Sequence, residues 1–205
     1  MLELKFDELS QAGRSRQSES RDVVQLVSNA NTLAVKLEQR VGKLQEIIDR
    51  MNRGEFEWRI KGWAEMRTQA RDGINQIVYS SAFFSHVNGY KLCLRVDPAG
   101  HADGEGTHLS LFFCIMRGPF DDVLPWPFKR DVGIILMNPQ TGVAHLKLTA
   151  KYSAVPGDQD IFAKPSSERN RGFGFPKFIE LAQMSSSSQL CYDNQIFIKC
   201  SVDAL

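Results

Sequence analysis

The sequence predicts a mainly β fold, an antiparallel β-sandwich preceded by an α-helical coiled coil. Three observations predict it. Composition changes near Arg53 and Gly54: no proline comes earlier and glycine occurs there only at Gly13 and Gly42, whereas all eight prolines follow. Upstream, apolar residues alternate three and four apart. Downstream, short apolar or alternating runs recur between turn residues, without the βαβ alternation of a parallel sheet.

Residues 1–20 are polar and weakly periodic, with only Leu2, Phe6 and Leu9 hinting at a helical turn. They read as a flexible lead-in. Residues 21–52 carry the repeat through Val23, Leu26, Ala30, Leu33, Leu37, Arg40, Leu44, Ile47 and Met51, flanked by polar residues such as Gln25, Lys36 and Glu46. A straight helix drifts off a strict seven-residue repeat, so this seam faces a partner helix once the helices supercoil. A single helix cannot bury the stripe alone. Self-association is the expected route, and packing along the chain's own domain is the other. Arg40 interrupts the seam, either snorkelling outwards or setting register. Mixed Val, Leu and Ala at the seam do not separate two strands from three.

Residues 54–203 form the expected sandwich. Phe56 to Ile60 alternates as a half-buried strand does. Gln76 to Tyr79 and Tyr90 to Val96 are further strands, and Pro98 to Gly106 is a glycine-rich loop. Leu109 to Met116 is almost wholly apolar, as a central strand covered on both faces is. Val132 to Met137, Ala144 to Leu148 and Gln195 to Val202 bring the set to seven or eight short strands, the pattern of a sandwich. Ser185 to Ser188 reads as a flexible loop.

Composition excludes several functions. A net charge of +1 lacks the basic excess that nucleic-acid binding shows. No apolar run is long enough to span a membrane, and Met1 to Lys5 does not open a signal peptide. Cys93, Cys114, Cys191 and Cys200 form no Cys-x-x-Cys pair and read as buried, reduced thiols. His86, His101, His108 and His145 show no ligand spacing, so no metal is expected. Nucleophile-elbow and phosphate-loop motifs are missing, and Gly172-Phe173-Gly174 is not a dinucleotide fingerprint. Asp121-Asp122 reads as a solvated turn pair. The expectation is therefore a binding protein, not an enzyme, with no cofactor. A sandwich with an open edge strand can add an extended peptide through backbone hydrogen bonds.

Several stretches are more specific. Gly89-Tyr90-Lys91-Leu92-Cys93-Leu94-Arg95-Val96 precedes Gly106-Thr107-His108-Leu109-Ser110-Leu111-Phe112-Phe113. Leu124-Pro125-Trp126-Pro127-Phe128, Gly172-Phe173-Gly174-Phe175-Pro176 and Ile196-Phe197-Ile198-Lys199-Cys200 follow in order. From Gly54 to Val202 the set resembles the C-terminal domain of the TRAF proteins, the tumour-necrosis-factor-receptor-associated factors, and the upstream heptads resemble that family's coiled coil. The resemblance implies an eight-stranded sandwich of the meprin-and-TRAF-homology (MATH) type. It also implies a parallel homotrimer in the cytoplasm that binds receptor or adaptor cytoplasmic-tail peptides, without membrane insertion. Trivalency then raises a weak single-site affinity. Other domains of this fold recognise substrates for ubiquitin-ligase assemblies, which is the alternative. Any ligase activity would lie in upstream RING and zinc-finger modules absent from this chain.

By the same resemblance the peptide groove takes Arg95, Phe112, Asp160, Ile161, Arg171, Phe173, Gly174 and Phe175. Arg95 would meet a carboxylate or lie on an aromatic ring. Alternation decides whether Phe112 or Phe113 points outward. Gly174 would admit a close backbone approach. Asp160 and Ile161 would contribute backbone contacts. Two features depart from several members. Asp97 and His101 stand where those members have tyrosine and aspartate, and Gln159-Asp160-Ile161 replaces a serine triplet. Residues 171 to 175 resemble the branch whose groove takes Pro-x-Glu-x-x-aromatic or acidic peptides.

Overall fold

Proline is absent up to Asn52, and helix α1 accordingly runs unbroken over Leu2–Asn52. The structure, a computed structural model, describes residues 2–152, 159–184 and 189–203. The serine run 185–188 lies outside the described residues. The chain divides into two compact units, Met1–Ile48 and Asp49–Leu205.

Residues 2–20 are helical, where the sequence reading expected a flexible lead-in. Gln, Ser, Glu and Arg cost a helix little, and Gly13 about 1 kcal/mol, less than is needed to stop it. Further along, the whole expected seam is exposed: Leu26 is 69% accessible, Leu33 59% and Leu44 59%. A second row accompanies it. Val27, Ala34, Val41 and Ile48 recur every seventh residue beside the seam and are exposed too. Together the rows form a stripe wider than a two-position coiled-coil seam.

In the second unit two antiparallel sheets enclose the core. The first has the order β1-β9-β6-β7, from Glu55–Lys61 (β1), Val132–Met137 (β6), Ala144–Ala150 (β7) and Gln195–Val202 (β9). The second has the order β2-β4-β5-β8, from Val78–Tyr79 (β2), Lys91–Asp97 (β4), His108–Met116 (β5) and Phe173–Glu180 (β8). The short β3 (Phe83–Phe84) also pairs with β4. Counting β2 and β3 as one interrupted strand along β4 gives the expected eight. Period-two alternation sends Leu92, Leu94 and Val96 of β4 and Leu111, Phe113 and Ile115 of β5 inward, against Ile134, Leu136, Ile196 and Ile198. Each such residue contributes about 1.5–3 kcal/mol by burial. Strand β5 is buried on both faces from Leu109 to Ile115, so its outward side chains are covered as well.

Helix α2 (Trp63–Arg71) follows β1 directly and buries Trp63 and Ala70. Its first turn is tied to the β9 approach, where Asn194 Oδ1 accepts from the Ala64 amide at 2.7 Å. The Asp121-Asp122 pair is not uniformly solvated. Asp122 is exposed, but Asp121 is buried and accepts from the Gly118 amide at 2.8 Å. Folding of the 118–128 turn around Trp126, whose indole donates to Asp121 O at 2.8 Å, takes Asp121 inside.

Candidate functional site

Residues paired across an antiparallel sheet share a face. Tyr79 of β2 pairs with Arg95 of β4, Arg95 with Phe112 of β5, and Phe112 with Gly174 of β8. These four form one row across the sheet, on the face away from the core. Phe113, directly after Phe112, takes the inward position. The row settles which of the two phenylalanines faces outward.

Arg95 lies over this row. Its Cζ sits 5.2 Å from the Phe112 ring centroid, and it donates to Asp97 through Nε at 2.8 Å and Nη2 at 2.5 Å. Asp97 is almost fully buried. Its hydrogen bonds hold the Arg95 guanidinium above the usual arginine range. A carboxylate partner of Arg95 thus already exists within the chain, which leaves only the remaining donor edge of the guanidinium for any other acceptor. His101 completes the cluster, with Nδ1 3.3 Å from Asp97 Oδ2 and its ring edge-on to Phe112 at 5.7 Å.

The loop that delivers His101 depends on glycine. Gly100 adopts φ +89°, and a Cβ there would stand 2.1 Å from Gly104 O. The His101 amide donates to Ser110 Oγ at 2.8 Å, and that hydroxyl donates to Pro176 O at 2.5 Å, linking loop, β5 and β8.

At the other end of the row, Arg169 stacks on Tyr79 with Cζ 4.2 Å from the ring centroid. Arg169 bridges to Met116, the partner of Lys91. Three basic side chains, Lys91, Arg95 and Arg169, thus gather along this row, Arg95 paired with Asp97 and Arg169 with Glu168.

Strand β8 pairs with β5 and with no other described strand, so it is the edge of its sheet. The Asn170 amide bonds to Ile115 O, which means the odd-numbered β5 residues address β8. Alternation along the ladder then turns the N–H and C=O of Gly174 to the open side. Gly174 is required for a second reason. A Cβ there would meet Leu111 O at 2.4 Å, so the glycine allows β8 to approach β5.

Not every expected residue shares this face. The Phe173 ring packs edge-on against Phe113 at 5.9 Å and Phe162 at 5.1 Å. Phe175 pairs with Leu111 and packs against the core. Both point away from Arg95, because they flank Gly174 in a strand of period two. Ile161, on the short helix α3 (Gln159–Phe162), is a core residue, and its carbonyl accepts from Asn170 Nδ2 at 3.0 Å. Asp160 and Arg171 are exposed. Tyr79 and Arg169 were missed by the sequence reading, although the expected strand ending at Tyr79 carried a signal for the first. Among the described residues no group of three or more His, Cys, Asp or Glu is placed to hold a metal ion. None of the described helices is long and apolar enough to cross a membrane.

Comparison with known proteins agrees with this architecture. Residues 75–199 match the family model for the TRAF/meprin MATH domain. Human TNF receptor-associated factor 2 is 37% identical over 150 residues, covering 73% of this chain and 29% of that protein. Mouse TNF receptor-associated factor 5 is 32% identical over 151 residues, covering 73% and 26%. The chain thus spans less than a third of the length of these relatives. A solved structure of Notothenia coriiceps TRAF5 superimposes with a TM-score of 0.68 at 26% identity, covering 96% of each chain. The chain belongs to the TRAF family, and its β-sandwich is that family's C-terminal MATH domain.

Proposed function

We propose that this chain is a trimeric cytoplasmic signalling adaptor that binds short acidic peptides from receptor tails along the β8 edge. The observation that carries the reading is the row Tyr79–Arg95–Phe112–Gly174 beside an open strand edge. The edge offers backbone hydrogen bonds, and the outward face offers an aromatic floor with cations above it. Arg95 and Phe112 supply the cation and the floor. Phe173 and Phe175 hold the strand against the core on either side of Gly174, while Asp160, Ile161 and Arg171 lie on the segments that lead into it. The relatives' names, TNF receptor-associated factors, point to receptors as the source of the peptide.

The exposed stripe of α1 supports assembly. Val23, Leu26, Ala30, Leu33, Leu37, Leu44, Ile47 and Met51 form the seam, and the row Val27–Ala34–Val41–Ile48 widens it. A helix with two neighbours buries more of its circumference than a helix with one, so the wider stripe favours three chains over two. Calorimetry with a Pro-x-Glu-x-x-aromatic peptide tests the binding reading. Saturable heat at sub-millimolar to millimolar peptide is expected, and no heat in that range would refute it.

A further inference from the structure

Two residue pairs along the ladder from Arg95 and Phe112, and so on the same outward face, Cys93 of β4 stands directly opposite Cys114 of β5. Both thiols are free and buried. Paired across the ladder, their side chains are neighbours on that face. The neighbouring Cys114 thiol, with the charge of Arg169, holds Cys93 below the usual thiol value despite its burial, while Cys93 and burial push Cys114 up. Leu94 bonds away from β5, through Ser80, so Cys93 and Cys114 are a pair that exchanges ladder hydrogen bonds. Such pairs have Cα atoms about 5.5 Å apart, within the Cα range that disulfides span.

Buried thiols are ordinarily inert. Gly172 lies beside the Cys114 thiol. A Cβ on Gly172 would lie 3.3 Å from Cys114 Sγ and 2.9 Å from Phe112 Cβ. Over Cys114 the chain thus passes as a glycine in the lead-in to the edge strand β8, with no side chain between that backbone and the sulfur. Cys200 differs, because it is fully buried in the core between the sheets.

We propose that Cys93 and Cys114 form a site of reversible oxidation, closing a cross-strand disulfide under a hydroperoxide and reshaping the floor of the ligand face. The Cys93 thiolate attacks the peroxide oxygen. The O–O bond breaks, the alkoxide or hydroxide leaves and is protonated, and Cys93 becomes a sulfenic acid. The Cys114 sulfur then attacks the Cys93 sulfur. An S–S bond forms, the S–O bond breaks, and the departing hydroxide leaves as water with the Cys114 proton. Two electrons pass from the thiols to the peroxide. Drawing the two sulfurs together moves the neighbours of Phe112 and Gly172, and this consequence rests on the peptide-binding reading.

The full chain treated with hydrogen peroxide, alkylated and mapped by mass tests the site. The expected product has lost two hydrogens and links the Cys93 and Cys114 peptides, with Cys191 and Cys200 still alkylated, and dithiothreitol restores it. Cys114→Ser is expected to stop at a sulfenic acid on Cys93 that dimedone traps, and Cys93→Ser to give neither product. Both cysteines remaining alkylatable, or cross-linking at other cysteines to the same extent, would overturn the proposal. Calorimetry with the acidic peptide on reduced and oxidised protein tests the coupling, with affinity expected to fall about tenfold or more on oxidation. Equal affinities would overturn the coupling. A reduced protein that binds no peptide would sink the receptor-peptide reading, while the linkage map would still decide the thiol chemistry.

Discussion

In the proposed peptide site, recognition turns on Arg95. It lies on Phe112 and donates twice to Asp97, so it is held in one position before any ligand arrives. Holding it there removes side-chain entropy that binding would otherwise cost. Arg95→Ala is expected to weaken peptide binding by about 1–3 kcal/mol through the lost charged donor. It also leaves the buried Asp97 short of its partner, so a fall in thermal midpoint should accompany the loss of affinity in calorimetry and melting. Gly174 is judged by space instead. A methyl there meets the Leu111 carbonyl at 2.4 Å, and Gly174→Ala should cost about 1–3 kcal/mol in denaturant unfolding as β8 is pushed off β5. Sequence made Arg95, Phe112 and Gly174 legible because each sits in a recognisable motif. It could not place Phe173 and Phe175, since which face of β8 is inward depends on pairing with β5. Arg169 was illegible for a similar reason: its stacking on Tyr79 joins residues 90 apart in the chain.

Among the elements, those with strong periodicity were readable. The heptads of α1 and the apolar run of β5 declare themselves, and both appear where expected. Helix α2 was missed. Its Trp63, Met66 and Ala70 lie on one face at helical spacing, a signal too short to stand out behind strand β1. Strand β8 was hidden by Gly172, Gly174 and Pro176, which argue against a central strand but are tolerated at an edge. The α1 stripe carries its own test. Leu37→Asp places an unpaired charge at every copy of one seam position, whose burial is costly. Sedimentation is expected to show the wild type as three chains and the variant as one. An unchanged trimer would remove the seam from the assembly.

For the whole molecule, the proposed function gives assembly to one compact unit and recognition to the other. Residues 49–205 alone should unfold cooperatively and bind a free peptide as the full chain does. Against a surface displaying many peptides they should lose apparent affinity by roughly 10²–10⁴, the span that linked sites gain without new contacts. Surface-immobilised peptide at varied density measures this. A final consequence comes from Asp97. Because that carboxylate neutralises Arg95 from within, and the chain as a whole carries only +1, little of the field of this cation reaches into solvent. On the proposed reading, a peptide is not drawn in from afar. It is judged at touching distance, by whether its acid can share a guanidinium already spoken for, and sequences that merely carry negative charge gain little by it.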